Sequence, residues 1–397
     1  MISVGIDVAK EKSVVAIMNE ERKLLRKVVT LNHTMSEISA FIELLTFYQE
    51  DEEVRVIMEV TGYYHEPVLQ LLCESGFKVY VVNALVIKKY NDAKLRQVKT
   101  DKQDAIKLAE YLLGNHYQLR EHKEEGLKYQ ELRFYAREYH KSMAIKVKIK
   151  NQLTQLIDKC FPGIKKIYHN NMEGTLLDVL EKYPTIDHVS RLGQKRFSNL
   201  FVKWATKKGH RIAEKKAVQI YELTLKGVQT VPSSECAEMM MRLLIKSLRE
   251  QIEITTSILT QMKTIAESIP EYGVVREMSG VGDRTGPRLL AEIGDIRRFR
   301  SSKALVAYAG IDVSPYQSGQ FEARERKITK RGSKYLRKVL YEIVQSLKTV
   351  KPTRDSAVYQ YVLRKELEGK ASKKAKVAGM NKFLRIYYAR VMEVYQL

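Results

Sequence analysis

The sequence lacks several features that would point to other classes of protein. Its three cysteines lie far apart with no paired spacing, which argues against a zinc site or a disulfide framework and favours a reducing cytoplasm. No apolar run approaches the roughly 20 residues of a membrane-spanning helix, and the opening MISVGIDVAK lacks a signal peptide's cleavable apolar region, so no membrane partner is expected. No two glycines are adjacent, whereas an actin-like kinase, which would open with a similar GIDV strand, carries glycine-rich phosphate loops.

Positive charge is what the sequence has in excess. Its 69 Lys and Arg outnumber its 47 Asp and Glu by 22, and this imbalance favours a polyanionic partner such as DNA or RNA. Residues 1–110 contain 15 Lys and Arg against 17 Asp and Glu, so the other 287 residues carry an excess of 24. We therefore expect the later part of the chain to hold nucleic acid. The acidic residues of 1–110 are therefore expected to serve another role, such as metal binding.

The length of 397 residues predicts several domains, and the first, over 1–115, has the pattern of an α/β fold. Short β-branched runs predict an antiparallel meander, and helical and strand patterns alternate after it. The predicted strands are 2–8, 13–18, 24–30, 54–60 and 77–82, and the predicted helices lie around 38–45, 67–73 and 101–113. This order is that of an RNase H-like domain.

Residues 116–270 read as a long, basic helical region. Apolar residues at alternating spacings of three and four over 241–269 predict a coiled coil or a long helical hairpin, with an ordinary core-facing helix as the alternative. The seam residues are Ile245, Leu248, Ile252, Thr255, Leu259, Met262, Ala266 and Ile269. The less regular stretch 162–234 contains a basic helix that is either solvated or faces RNA or DNA.

The C-terminal part is predicted to be mostly α-helical, with a glycine-punctuated domain at 271–348 and a basic helical tail at 349–397. Residues 275–290 fit a helix-hairpin-helix, in which the turn at Gly280 and Gly282 would bring backbone N–H groups to a DNA phosphate. The usual pattern has a proline before the first glycine, where this chain has Ser279. A plain glycine turn between two packed helices is the alternative.

Four acidic residues of the front domain form a candidate metal centre. Asp7 lies inside the apolar run VGIDV and Glu59 at the end of VIMEV, where an unpaired carboxylate would be costly. Asp101 and Asp104 are three residues apart, which places both on one face of a helix. Taken singly, each could be a turn, a cap or a solvated residue. Together they suit two-metal phosphoryl chemistry, which needs several converging carboxylates.

The sequence resembles the DEDD-type insertion-sequence transposases, whose front domain is similar to the RuvC Holliday-junction resolvases. The resemblance is carried by GIDVAK at 5–10, EVTGYY at 59–64 and VKTDKQDA at 98–105. It implies that the four acidic residues above are catalytic and hold Mg²⁺, with Mn²⁺ as a substitute. Lys99 and Lys102, in the last motif, are then expected to contact nucleic acid.

The resemblance continues over residues 274–340, where a serine just before a glycine is implied to be a nucleophile on the DNA backbone. That residue is Ser318, and Ser314 is a second candidate. From the residues alone, a serine in a loop bounded by proline and glycine is first of all a turn residue. Lys330 and Arg331, just before a predicted helix start, form a candidate phosphate clamp, with a capped basic helix as the alternative.

The family likeness implies metal-dependent cleavage and exchange of DNA strands by an insertion-sequence transposase or site-specific recombinase. Its implied partners are the DNA of the element ends and target, a structured noncoding guide RNA, and further copies of the chain in a dimer or tetramer. The implied location is the bacterial cytoplasm, in association with the nucleoid. A RuvC-like junction resolvase that needs no serine step is the alternative enzyme, and a noncatalytic nucleic-acid scaffold is the alternative without chemistry.

Overall fold

The computed structural model folds the chain into two compact units, residues 1–124 and 125–397. The residues that it describes are 1–59, 62, 64–84, 86–87, 90, 100–122, 126–231, 234–313, 317–318, 321–322 and 327–396. Within these ranges no helix is long and apolar enough to cross a membrane. The finer division of the chain at 115, 270 and 348 remains a prediction.

The first unit is a five-stranded mixed sheet with helices packed on it, so the predicted α/β class and order of elements are confirmed. Its strands are β1 (Ile2–Val8), β2 (Lys12–Met18), β3 (Val29–Asn32), β4 (Val54–Glu59) and β5 (Lys78–Val82), and its helices are α1 (Met35–Asp51), α2 (Glu66–Glu74) and α3 (Asp101–Asn115). The spatial order is β3-β2-β1-β4-β5. Strand β2 runs antiparallel to both of its neighbours, whereas β1, β4 and β5 run parallel to one another.

The third strand lies further along the chain than its sequence pattern predicts. It spans Val29–Asn32 instead of 24–30, and Leu24 makes only an isolated bridge with Met18. Leu24 and Leu25 are 42% and 40% exposed, whereas Leu31 is buried. The prediction was wrong because the apolar pair does not face the core, and the buried side chain that fixes the strand comes later.

The second unit is almost entirely helical, as expected for the later part of the chain. Its helices are α4 (Leu127–Cys160), α5 (Ile164–Ile167), α6 (Thr175–Lys182), α7 (Ile186–Ser190), α8 (Gln194–Lys207), α9 (Ala213–Lys226), α10 (Glu235–Glu267), α11 (Tyr272–Glu277), α12 (Gly286–Ile293), α13 (Ser302–Ala309), α14 (Lys334–Val350), α15 (Ala357–Leu367) and α16 (Ser372–Val394). Two short strands, β6 (Gln317–Ser318) and β7 (Phe321–Glu322), pair in antiparallel fashion.

The two longest helices, α4 and α10, pack against each other in antiparallel directions. Gln251 donates a hydrogen bond to the Ser142 carbonyl at 3.2 Å, and Lys128, near the start of α4, reaches the Ser268 carbonyl just after α10 at 3.0 Å. The apolar seam predicted over 241–269 lies on the packed face of α10: Ile245, Leu248, Met262 and Ala266 are fully buried. The coiled-coil interpretation of this seam remains a prediction.

Residues 161–231, which we call the helical cap, lie between α4 and α10 in the chain and contain α5–α9. Their apolar side chains share one cluster with the end of α4 and the start of α10. An aromatic group of Tyr183, Phe197, Phe201 and Trp204 lies in or against this cluster, with neighbouring ring centroids 5.2 to 6.1 Å apart. Burial of several large rings is what stabilises this part of the unit.

The other ends of α4 and α10 pack into a second apolar cluster, formed with α11–α16. Tyr387 of α16 is among the largest fully buried side chains of the chain, and Phe383 is buried beside it. Most of the basic segment at 370–376 therefore lies in the first turns of α16, a helix whose inner face belongs to the core of the unit.

Candidate functional site

One face of β1 sets the position of helix α3. Ser3, Gly5 and Asp7 alternate along the strand and so point to the same side of the sheet. The Ser3 hydroxyl donates to the Ala109 carbonyl of α3 at 2.8 Å. A Cβ on Gly5 would lie 2.1 Å from the Ala105 carbonyl oxygen, so the helix backbone rests directly on the strand at this glycine. Asp7 is the next residue on that face, towards the start of α3.

Helix α3 begins with the two acidic residues that the sequence singled out. Thr100 caps it by accepting a hydrogen bond from the Gln103 N–H. Asp101 and Asp104 occupy the first turn, where the helix dipole stabilises negative charge. Asp104 also accepts a hydrogen bond from the Lys107 ammonium group at 3.1 Å.

Glu59 reaches the same region from the neighbouring strand. It is the last residue of β4, and the parallel register pairs Met58 of β4 with Ile6 of β1. The next step of that register places Glu59 beside Asp7 at the carboxyl ends of the two strands. The sheet and α3 thus bring residues from three distant parts of the sequence to one edge.

The electrostatics of Asp7 report this convergence. The pKa of its carboxyl is raised from 3.8 to about 6, first by burial and then by the negative charges of Asp101, Asp104 and Glu59. Asp7 is half-buried, and no side chain in the described part of the chain donates a hydrogen bond to it. Asp101, Asp104 and Glu59 therefore lie close enough to Asp7 to disfavour its charged form.

Their donor chemistry fits a divalent metal ion. Carboxylate oxygens are the ligands that Mg²⁺ and Mn²⁺ prefer, and a cation would relieve both the burial and the mutual repulsion of Asp7. Among the described residues, no three His, Cys, Asp or Glu side chains already stand close enough to enclose an ion. The fit thus rests on ligand type and charge.

Lys99 and Lys102 are the two nucleic-acid contacts expected in this unit. Lys102 is exposed on the first turn of α3, next to Asp101. Lys99 lies outside the described residues.

In the second unit, Gly280 and Gly282 form a turn between α11 and α12, as predicted. Gly280 has a φ of +86°, and a Cβ there would lie 2.8 Å from the Leu347 Cγ, so backbone conformation and packing both require glycine. The Gly282 N–H donates to the Thr285 hydroxyl at 2.8 Å within the turn. A plain glycine turn accounts for both residues, and the phosphate contact of a helix-hairpin-helix remains a prediction.

The loop that carries Lys330 and Arg331 is held firmly by backbone hydrogen bonds. The N–H groups of Thr329 and Lys330 donate to the carbonyls of Asp312 and Gly310, each at 3.0 Å. Both cations are exposed. Ser333 caps α14, since its hydroxyl accepts from the Leu336 N–H at 3.1 Å. Their action as a phosphate clamp remains a prediction.

Ser318 ends strand β6, but its side chain lies outside the described residues, as does Ser314 as a whole. The role of either serine as a nucleophile remains a prediction.

Sequence reasoning missed two residues that shape these sites. Gly5 brings α3 onto β1, and the signal for it was a glycine inside a buried strand. Glu292, fully buried in the run LLAEIG, binds Arg137 of α4 at 2.8 Å and accepts from the Ser333 hydroxyl at 2.8 Å. Glu292 thereby connects the start of α14, just after the Lys330–Arg331 loop, to the long helix α4.

Comparison with known families identifies two matching segments. Residues 4–162 match a family of the DEDD and IS110 type, described as "Transposase". Residues 272–360 match a family described as "Transposase IS116/IS110/IS902 family". The two segments together cover more than half of the chain and contain the four carboxylates, the glycine turn and the Lys330–Arg331 loop.

Individual relatives extend over most of the chain. The "Pilin gene-inverting protein" of Moraxella lacunata is 26% identical over 361 residues, which are 89% of this chain and 86% of that protein. The "Insertion element IS116 uncharacterized 44.8 kDa protein" of Streptomyces clavuligerus is 22% identical over 373 residues, 93% of this chain and 89% of that protein. Among solved structures, Thermus thermophilus RuvC in complex with a Holliday junction substrate is 14% identical and covers 31% of this chain and 99% of its own, with a TM-score of 0.24. On its two family segments, the chain belongs to the IS110 and IS116 family of insertion-sequence transposases and is a recombination enzyme.

Proposed function

We propose that the protein cleaves and exchanges DNA strands at the ends of its insertion sequence and at a target, with divalent metal ions held by Asp7, Glu59, Asp101 and Asp104. The observation that supports this is the electrostatic convergence of four carboxylates from β1, β4 and α3. A half-buried carboxylate that three other carboxylates repel destabilises the fold, and a metal-binding role would explain why it is there.

Mg²⁺, or Mn²⁺ in its place, would supply polarisation of the attacking and leaving oxygens of a phosphodiester. The protein's own part is to hold the ligands in place. Strand β1 fixes Asp7, the register with β4 fixes Glu59, and the packing of α3 on Gly5 fixes Asp101 and Asp104. These supports are strands and a helix rather than loops, which suits a catalytic site.

We further propose that the Ser318 hydroxyl attacks a DNA phosphodiester. The serine oxygen forms a bond to phosphorus, the bond from phosphorus to one deoxyribose oxygen breaks, and that strand end leaves as a hydroxyl that takes up the proton lost by the serine. The other strand end stays joined to the protein until a strand-end hydroxyl reverses the step. The family membership supports this, because the residue lies in the segment matched by the IS116/IS110/IS902 family. The excess of positive charge after residue 110 suits a protein that holds both DNA and a structured noncoding RNA. In this proposal the enzyme works as a dimer or tetramer at the nucleoid in the bacterial cytoplasm, with the serine of one subunit meeting the carboxylates of another.

The test is strand exchange by the purified protein with its element's RNA, donor and target DNA, and Mg²⁺. We expect Asp7→Ala to abolish exchange, whereas Asp51→Ala, which removes an exposed acid at the end of α1, should leave it unchanged. Ser318→Ala should also abolish the covalent protein–DNA adduct seen in denaturing gels, and Ser314→Ala should preserve it. Absence of exchange by the wild type, or full activity of Asp7→Ala, would refute the proposal.

A junction resolvase is the second candidate, because the carboxylate centre does not itself depend on the serine. Its expected result is different: cleavage of a four-way DNA junction that Asp7→Ala abolishes and that Ser318→Ala leaves intact. That outcome would remove the serine step and retain the metal centre.

A further inference from the structure

The helical cap carries a strongly basic corner that the proposed chemistry does not use. Residues 194–216 contain eight Lys and Arg and one acidic residue, Glu214. This segment comprises α8, the turn 208–212 and the start of α9. Its exposed cations are Lys195, Arg196, Lys203, Lys207, Lys208, Arg211 and Lys215.

The turn is built so that its cations face solvent while its central residue is anchored. His210 has a side chain only 5% exposed, and its Nε2 lies 3.2 Å from Asp178. The ring of His210 also packs against Trp204, with centroids 5.1 Å apart. Lys207, Lys208 and Arg211 flank this anchor and are all exposed.

The acidic side chain that contacts the turn is already engaged. Asp178 binds His210 and Arg249, and Arg249 also binds Glu181 at 2.8 Å. None of the ion pairs in the described part of the chain involves Lys207, Lys208 or Arg211. No acidic side chain in the described ranges neutralises these three exposed cations by an ion pair, which is the arrangement of a surface that meets an anionic partner.

The helix backbone contributes to the rigidity of the corner. Helix α8 ends at Lys207. Gly209, two residues later, has a φ of +72°, the left-handed conformation typical of a glycine that follows a helix, and the His210 N–H donates to the Ala205 carbonyl at 2.8 Å. A rigid basic turn loses little conformational freedom when it binds.

We propose that this corner, with Lys207, Lys208 and Arg211 at its centre, grips the phosphate backbone of a nucleic acid. A lipid surface is less suited as the partner, because Phe197 and Phe201 are buried in the cap and Leu200 and Ile212 are the only exposed large aliphatic side chains of this segment, too few for an apolar face that enters a bilayer. The proposal deepens the proposed function by assigning a binding surface to the cap. It concerns sequence-independent grip, since phosphate contacts position a nucleic acid and bases specify it.

The test is equilibrium binding of the full-length protein to a 30-bp duplex DNA and to a hairpin RNA, both of arbitrary sequence, over a range of salt concentrations. EDTA is present throughout, so the result does not depend on the carboxylates or on strand exchange. The variant is the triple substitution Lys207→Gln, Lys208→Gln, Arg211→Gln. The slope of log K against log salt is negative, and each lost contact to duplex DNA should make it shallower by about 0.9. The slope of the triple variant should therefore be shallower than that of the wild type by up to about 2.7.

A matched control removes the same charge elsewhere in the unit. Lys141→Gln, Lys246→Gln and Lys263→Gln delete three exposed lysines that are each paired with an acid on their own helix. The proposal predicts a reduced slope for the corner variant and a slope within about 0.5 of wild type for the control. Circular dichroism spectra of both variants serve as the check that they are folded.

The two probes identify the partner. A slope that falls for the DNA alone assigns the corner to DNA, one that falls for the RNA alone assigns it to RNA, and either result supports the proposal. Equal losses in the corner and control variants, or an unchanged slope with both probes, would overturn it. So would a corner variant that keeps its nucleic-acid slope but no longer binds anionic phospholipid vesicles. If strand exchange fails while the corner variant still loses its slope, the proposed function is wrong and the binding surface stands.

Discussion

Replacing Gly5 with alanine tests whether the seat of α3 on β1 builds the carboxylate centre. The added Cβ would lie 2.1 Å from the Ala105 carbonyl oxygen and 2.5 Å from the Ala109 nitrogen. Ordinary contact begins at 3.4 Å, so the first distance is short by about 1.3 Å. Both atoms belong to the helix backbone and cannot rotate away, so the whole helix must retreat. Overpacking of this kind costs about 1–3 kcal/mol, and we expect Gly5→Ala to lie near the upper value.

The location of the only tryptophan makes the measurement specific. Trp204 lies in the second unit, so its fluorescence follows that unit, whereas far-UV circular dichroism follows both. In guanidinium titrations, Gly5→Ala should lower the free energy of unfolding of the first unit by about 3 kcal/mol and leave the Trp204 transition in place. Strand exchange should fall by about 100-fold, since a displacement near 1 Å at a catalytic group has that effect.

Gly114→Ala is the matched control within α3. No atom lies within 4 Å of its added Cβ, and alanine favours the helix by about 0.5–1 kcal/mol. Our explanation would be refuted if Gly5→Ala unfolded within 0.5 kcal/mol of wild type, or if both glycine variants exchanged strands at the wild-type rate.

Three further predictions concern other buried or crowded positions. In EDTA, the first unit should lose stability as pH rises from about 4 to about 6. The pKa of Asp7 in the folded state is about 6, above its ordinary value of 3.8, so in this pH range the folded state retains a proton that the unfolded state has released. Asp7→Asn should remove that pH dependence and raise the free energy of unfolding at pH 7 by on the order of 1 kcal/mol, whereas a carboxylate that is merely structural would lose stability on this change. Glu292→Ala leaves the guanidinium of Arg137 without its partner and should destabilise the second unit by about 3 kcal/mol in titrations monitored by Trp204 fluorescence. Glu292→Gln should cost less, because its side chain can still accept a hydrogen bond from Ser333. Equal losses of stability in the two variants would contradict this. Gly332→Ala places a Cβ 2.1 Å from a carbonyl oxygen and should cost the second unit about 1–3 kcal/mol, while Gly273→Ala, with no atom within 4 Å, should change its unfolding little.

The sequence predicts the order of elements in the first unit because its strands are short apolar runs and its helices are amphipathic. Asp7 and Glu59 were recognisable as candidates because each interrupts such a run. The role of Gly5 could not be derived in the same way. It depends on which helix crosses β1, and that helix begins almost 100 residues later in the chain.

Local periodicity also explains where prediction of the second unit stops. The spacing of Ile245, Leu248 and Met262 identifies one apolar face of α10, but it does not identify α4 as the helix that covers that face. The buried Glu292 gave no comparable signal, since its partners Arg137 and Ser333 lie 155 and 41 residues away. Long-range pairing of this kind is fixed by the packed core rather than by local pattern.

The antiparallel packing of α4 and α10 has a consequence for how this chain can vary. Each helix is 33 or 34 residues long, so the two form an arm of about 50 Å, with the cap inserted where they end. Because the helices run in opposite directions, the cap enters and leaves at neighbouring points. It can therefore be shortened, enlarged or exchanged between homologues with little disturbance to the core at the other end of the arm, which makes it the natural place for related elements to diverge in what they hold.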